Sequence, residues 1–246
     1  MLIDTHRRIA ELVDDNYAYA AVLDYFGIKF YDFDQATLAQ ACRERGLRVA
    51  QVIAGLESVY ERSSDLPLAT YPIDLVVAYL KHTHYIFIKE RLPYLSKLIH
   101  NLQATDQTEV VKDLQFIFPL FVEDLIHHIY QEEDELFSYI LTLHQAYRAP
   151  NPSSQTYYDL ERSTIQDFAV HHSADDDDME GIRNIVHNYD TRRASSLHQR
   201  VVYAELQRFE RDLKVHASVE NEILFPKALA LEKQVKKALR EKISLN

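Results

Sequence analysis

The phrase His-x3-Glu-x3-Leu-Phe occurs twice in this chain, as His128, Glu132, Leu136, Phe137 and as His216, Glu220, Leu224, Phe225. No other feature constrains the fold as tightly. Residues four apart on an α-helix lie one above the other on the same face, so each copy sets an imidazole, a carboxylate and a leucine along one stripe. A stripe that mixes charge with apolar residues must pack against other helices and must give its charge a partner. Each copy therefore reads as a metal-ligand helix.

The rest of the sequence supports helices throughout. Among 246 residues there are only 4 Gly and 7 Pro, and 47% are hydrophobic, while good helix formers fill the long segments between breakers. The formal charge of −11 excludes nucleic acid and anionic membrane surfaces as partners, since both are held through basic patches. No run approaches the roughly 18 apolar residues of a membrane span, and Met1 to Ala10 lack the apolar centre of a secretory signal. A soluble, cytoplasmic protein is expected. Cys42 is the single cysteine, so any metal must be held by nitrogen and oxygen rather than by thiolates.

Taken in order, residues 5–26 show helical spacing and stop at Gly27, an extended piece covers Ile28 to Phe33, and Asp34 caps a second helix that ends at Gly46. A third helix runs from Leu47 to about Tyr60, before a polar, Pro-containing linker. The expected organisation is a small helical domain over residues 1–66 followed by a bundle over 70–246. Four long amphipathic segments, 72–103, 107–147, 156–189 and 194–242, predict an all-α, up-down four-helix bundle. Pro93 and Pro119 fall inside helical patterns and should kink or restart them.

The inward stripe of each segment carries one histidine. The last reads Val202, Leu206, Phe209, Leu213, His216, Glu220, Ile223, and the second reads Phe118, Phe121, Leu125, His128, Glu132. The third, Ile165, Phe168, His172, Asp175, Met179, Ile182, Val186, places His172 at a core position. The first, Ile73, Val77, Leu80, His84, Phe87, does the same for His84, with His82 as its rival. These four histidines are spaced by 44 residues, a coincidence of loop lengths rather than a repeat.

Four inward histidines and two inward glutamates without a metal would leave two buried carboxylates uncompensated, which costs several kcal/mol. They are too many ligands for one open metal. Two cations bridged by both carboxylates would each receive two imidazoles and keep a position for an oxo or hydroxo bridge and an exogenous ligand. Mixed imidazole and carboxylate donors suit iron best, with manganese and zinc as competitors. The ferritin-like pattern Glu-x-x-His and the pattern His-Glu-x-x-His are both absent. His127 and His171 point roughly 100° away from their neighbours and read as outer or surface groups. Asp175 is a candidate hydrogen-bond acceptor or extra ligand, and Tyr85, Tyr130 and Tyr203 are candidate cavity residues with ordinary packing as the simpler alternative.

The phrases His128-Ile-Tyr-Gln-Glu132-Glu-Asp-Glu-Leu-Phe and His216-Ala-Ser-Val-Glu220-Asn-Glu-Ile-Leu-Phe-Pro resemble the signature helices of hemerythrin-like (HHE) di-iron domains. Val22-Leu-Asp-Tyr-Phe-Gly27-Ile-Lys-Phe30-Tyr-Asp, with Leu38-Ala-Gln-Ala-Cys-Arg-Glu-Arg-Gly46-Leu, is similar to the small N-terminal domain of the repair-of-iron-centres, ScdA-like family. The resemblance implies a cytoplasmic di-iron protein that restores iron-sulfur clusters after nitrosative or oxidative stress. It also implies His84, His128, His172 and His216 as terminal ligands, with Glu132 and Glu220 as bridges. Two positions depart from the family pattern. Tyr31 and Asp32 stand where the family carries an adjacent cysteine pair, and Lys81-His-Thr-His84-Tyr replaces an adjacent histidine pair.

Three functions are compatible with these features. The first is a repair protein whose iron pair meets NO, O2 or peroxide or yields iron to a damaged iron-sulfur protein. The second is a sensor or carrier that holds O2 or NO without turnover. The third is a metal-dependent docking module. Self-association as a homodimer is compatible with all of them.

Overall fold

The computed structural model describes residues 3–61, 67–102, 109–148, 164–166, 168 and 179–243. Among them the fold is helical without a β-strand, apart from an isolated antiparallel bridge between Arg8 and Thr37. The all-α expectation holds.

Four short helices come first: α1 Ile9–Asp15, α2 Tyr19–Tyr25, α3 Leu38–Glu44 and α4 Val49–Glu57. The single helix expected over 5–26 is two, because Asn16 is extended (φ −150°) and its Oδ1 accepts from the Ala18 amide. A short polar side chain that satisfies the backbone locally competes with helix continuation. The start of α3 also differs from expectation. Thr37, not Asp34, caps it, through a reciprocal box with Gln40, while Asp34 accepts from the Gln35 amide instead. Ile28 to Phe33 is turn rather than extended chain, since the Asp32 and Phe33 amides both bond to the Lys29 carbonyl. Gly27 (φ 75°) and Gly46 (φ 67°) end α2 and α3 in the left-handed conformation expected of them.

The long elements follow as α5 Ile73–Ile86, α6 Leu92–His100, α7 Glu109–Gln131, α8 Ser138–Arg148, α9 Glu180–Ile185, α10 Leu197–Val219 and α11 Phe225–Ile243. Within the third expected segment, helix is replaced at His187 to Tyr189 by a left-handed turn, with φ of 51°, 58° and 61°. Three junctions are π-helical: Phe87–Arg91 between α5 and α6, Glu132–Phe137 between α7 and α8, and Glu220–Leu224 between α10 and α11. Two of them lead into proline. The Leu92 amide bonds back to the Phe87 carbonyl and the Phe225 amide to that of Glu220, five residues earlier in each case. Pro93 and Pro226 come next and have no N–H to give. The wider turn keeps the chain helical where an α-turn would clash. Pro119 is carried inside α7. No proline follows Glu132–Phe137, so that π turn has another origin.

The chain clusters into two compact units. One comprises Met1–Asp65, Pro93–Phe118 and Gly181–Glu210. Its buried residues include Ile9, Leu12, Leu23, Phe30, Leu38, Val52, Leu56 and Phe209. The other comprises Leu66–Leu92, Pro119–Glu180 and Arg211–Asn246. Its core joins Val76, Val77 and Leu80 of α5 to Leu136, Phe137 and Ile140, and to Val219, Leu224 and Phe225. Both Leu-Phe pairs of the repeated phrase are therefore core residues. The candidate site lies within this second unit.

Candidate metal centre

α5, the end of α7 and the end of α10 each bring a polar side chain into that apolar core. His84, Glu132, His216 and Glu220 are all buried, with relative exposures of 1%, 4%, 7% and 4%. One donor atom of each lies within 4.8 Å of all the others. The Nε2 atoms of His84 and His216 are 3.0 Å apart. Glu132 Oε2 is 3.3 Å from His84 Nε2, and Glu220 Oε1 is 3.3 Å from His216 Nε2. Donors that sit about 2.0–2.2 Å from one cation, at right angles, are about 3 Å from each other. These spacings match that pattern.

His128 sits one helical turn before Glu132, half exposed, with its Nε2 3.2 Å from Glu132 Oε1. The two oxygens of Glu132 thus face different histidines. One carboxylate lies between His84 and His128.

The electrostatics suit a bound cation. Burial holds the Glu220 carboxyl well above the usual carboxylate range, and the neighbouring Glu132 charge pushes it in the same direction. Burial lowers His216 to about 4, against the opposing pull of Glu132, so its ring is neutral at physiological pH. Glu220 Oε1 and His216 Nδ1 are buried without a hydrogen-bond partner, each a cost of about 1–3 kcal/mol. The donor set of neutral imidazoles and carboxylates therefore fits a hard or borderline cation, whose binding would displace the Glu220 proton.

A pH dependence follows for the metal-stripped protein. The Glu220 pKa is higher folded than unfolded, so its contribution to stability is present below the unfolded value of about 4.3 and is lost as pH rises through the folded value. For His216 the folded pKa is lower, so its contribution is present above about 6.5 and is lost as pH falls toward 4. Glu220→Gln is expected to stabilise the stripped protein at pH 7–8 by on the order of 1–2 kcal/mol. The gain should shrink toward pH 4. Scanning calorimetry of stripped parent and variant across that range checks it, and an unchanged or lower melting temperature for the variant at pH 8 would contradict the assignment.

The remaining expected residues are distributed as follows. His82 is exposed and stacks on Tyr85, whereas His84 is buried in the cluster. His127 is exposed. His171, His172 and Asp175 lie outside the described residues. Tyr85 and Tyr130 are exposed at 56% and 52%, and Tyr203 is buried in the other unit, where its hydroxyl accepts from Gln199. None of these tyrosines lines the cluster. His198, which has no partner at ligand spacing in the sequence, is a satisfied core residue that donates from Nε2 to the Leu98 carbonyl. Cys42 is fully buried and its thiol is pushed up by desolvation, so it offers no reactive thiolate.

Two features escaped the sequence. The π turns that begin at Glu132 and Glu220 carry no periodicity signal, although Pro93 and Pro226 mark two of the three junctions. Glu133, to which the sequence reading assigned no role, reaches His84. Its adjacency to Glu132 gave no hint of this, because neighbours on an α-helix diverge by about 100°.

Helices that converge buried histidines and glutamates on one point define a helical metal-binding domain. The chain belongs to the hemerythrin HHE cation binding domain family, whose model matches residues 87–228. His84 precedes the matched span, so its place in the site rests on geometry. An iron-sulfur cluster repair protein YtfE from Musicola paradisiaca (strain Ech703) is 24% identical over 214 residues, covering 85% of this chain and 90% of its own length. The iron-sulfur cluster repair protein YtfE of Citrobacter koseri is 25% identical over 214 residues, covering 82% and 89%. Among the described residues no helix is long and apolar enough to cross a membrane.

Proposed function

We propose that this chain is a non-haem di-iron protein that restores iron-sulfur clusters damaged by nitrosative or oxidative stress in the cytoplasm. The observation that carries the di-iron reading is the position of Glu132, whose two oxygens lie 3.3 and 3.2 Å from the Nε2 atoms of His84 and His128. In this reading His84, His128, His172 and His216 would supply imidazole donors and Glu132 and Glu220 carboxylate donors to the iron pair. Manganese and zinc are the competing metals. Iron held there would supply a redox-active Lewis acid for NO, O2 or peroxide, and would also be the cargo that a damaged cluster lacks.

The protein's own groups hold and shield that centre. The neutral imidazole of His216 offers a lone pair without first losing a proton, and Glu220 releases its proton as a cation arrives. Phe137 and Phe87 pack on the rings of His84 and His216 and keep water from them. Residues 1–66 are read as the small helical domain without the cysteine pair, and 70–246 as the hemerythrin-like bundle. The repair assignment draws its support from the names of the two relatives.

A second reading, an O2 or NO sensor or carrier without turnover, is favoured by Tyr31 in place of a cysteine. Its hydroxyl is buried without a hydrogen-bond partner and is raised to about 12, mainly by burial, which suits packing rather than thiol-like chemistry. One experiment separates the two. The anaerobically iron-loaded protein is mixed with an iron-sulfur enzyme inactivated by NO, and enzyme activity and iron transfer are followed. Recovery of activity with loss of iron from this protein is the expected result. A stable gas adduct with no iron transfer would replace repair by the second reading.

A further inference from the structure

We infer that Glu133, backed by Lys81, is a positioning residue that fixes the His84 ring as a metal donor; this rests on reading the cluster as a metal centre. Glu133 Oε1 is 3.0 Å from His84 Nδ1, and its other oxygen is 3.3 Å from Lys81 Nζ. Lys81 and His84 are three apart on α5 and so share a face. One carboxylate from the π turn after α7 therefore clasps both.

A carboxylate only accepts, so Glu133 draws the single proton of a neutral His84 to Nδ1. Nε2 is left with its lone pair, aimed at the point where His216 Nε2 and Glu132 Oε2 also converge. The consecutive acids Glu132 and Glu133 thus bracket one ring, one at each nitrogen. Phe137 lies parallel to that ring, 9° between planes with centroids 5.5 Å apart, and sets its tilt. Lys81 offsets the Glu133 charge and holds it outside the donor set. The π turn Glu132–Phe137, which no proline requires, is the backbone change that accompanies two adjacent carboxylates serving one histidine.

The test uses 15N-imidazole NMR of the metal-free full chain, with His84 assigned by difference from His84→Asn, together with Fe(II) affinity by competition against a chromophoric chelator. The parent should show His84 protonated at Nδ1. Glu133→Leu should lose that tautomer preference and bind Fe(II) about 10–100-fold more weakly, the usual effect of removing a partner behind a metal-bound histidine. Glu133→Gln, whose amide oxygen still accepts, should keep the tautomer and lose less affinity. A purely structural role would lower melting temperature without moving the tautomer. Protonation of the parent at Nε2, or a folded Glu133→Leu with unchanged tautomer and affinity, would overturn the inference. Should Glu133→Leu not fold, the parent tautomer and Glu133→Gln decide it. Absence of iron binding by the parent would remove the metal-centre reading, while the tautomer of the metal-free chain would still judge Glu133.

Discussion

Glu132→Ala is expected to bring the iron content of anaerobically loaded protein from about two per chain to a small remainder, with affinity falling by more than the ~100-fold upper range for groups behind a ligand. The reason is geometric. The two oxygens of Glu132 face separate histidines, His84 and His128, so its loss removes a donor from both halves of the proposed centre. Its removal also takes a negative charge away from Glu220, whose carboxyl it pushes up, so the stripped variant should remain folded. Metal analysis beside circular dichroism reads both effects. Iron content equal to the parent's in a folded Glu132→Ala protein would refute a bridging role. His216→Ala should act in the same direction but leave His128 and Glu132 paired.

Phe137→Ala should be the most destabilising single change near the site, by about 3–5 kcal/mol. For a chain of this size that corresponds to a fall of roughly 6–20 °C in melting temperature. Phe137 is fully buried in the core that joins α5, α8 and α11, and it stacks on His84. The cavity would therefore open against a ligand ring, and metal affinity should fall along with stability. Thermal melts of the stripped protein isolate the packing loss, since no metal then contributes. A loss below about 1 kcal/mol would show that the site can collapse around the smaller side chain.

The helical class was legible because it depends on local information. Few breakers, strong helix formers and a recurring spacing of three and four are readable one turn at a time, and Gly27 and Gly46 end helices where expected because only a residue without Cβ enters the left-handed region easily. Errors arose where a local alternative competed with the helix. The Asn16 side chain broke one helix into two, Thr37 outcompeted Asp34 as a cap, and three left-handed residues ended the third long segment. At Asn16 and Thr37 the outcome follows side-chain hydrogen bonds to the backbone, which compete locally with helix continuation.

The repeated phrase by itself determined that a histidine, a glutamate and a leucine share a helical face, because that follows from helical period. Only the tertiary structure decided which atoms meet. It set His84 Nε2 against His216 Nε2, divided the two oxygens of Glu132 between two histidines, left His128 half exposed, and brought Glu133 to the far nitrogen of His84. A contact between residues 49 or 132 positions apart leaves no trace in local periodicity. The π turn at Glu220 has a mark in the sequence, Pro226, whereas the one at Glu132 has none and is visible only in the folded chain.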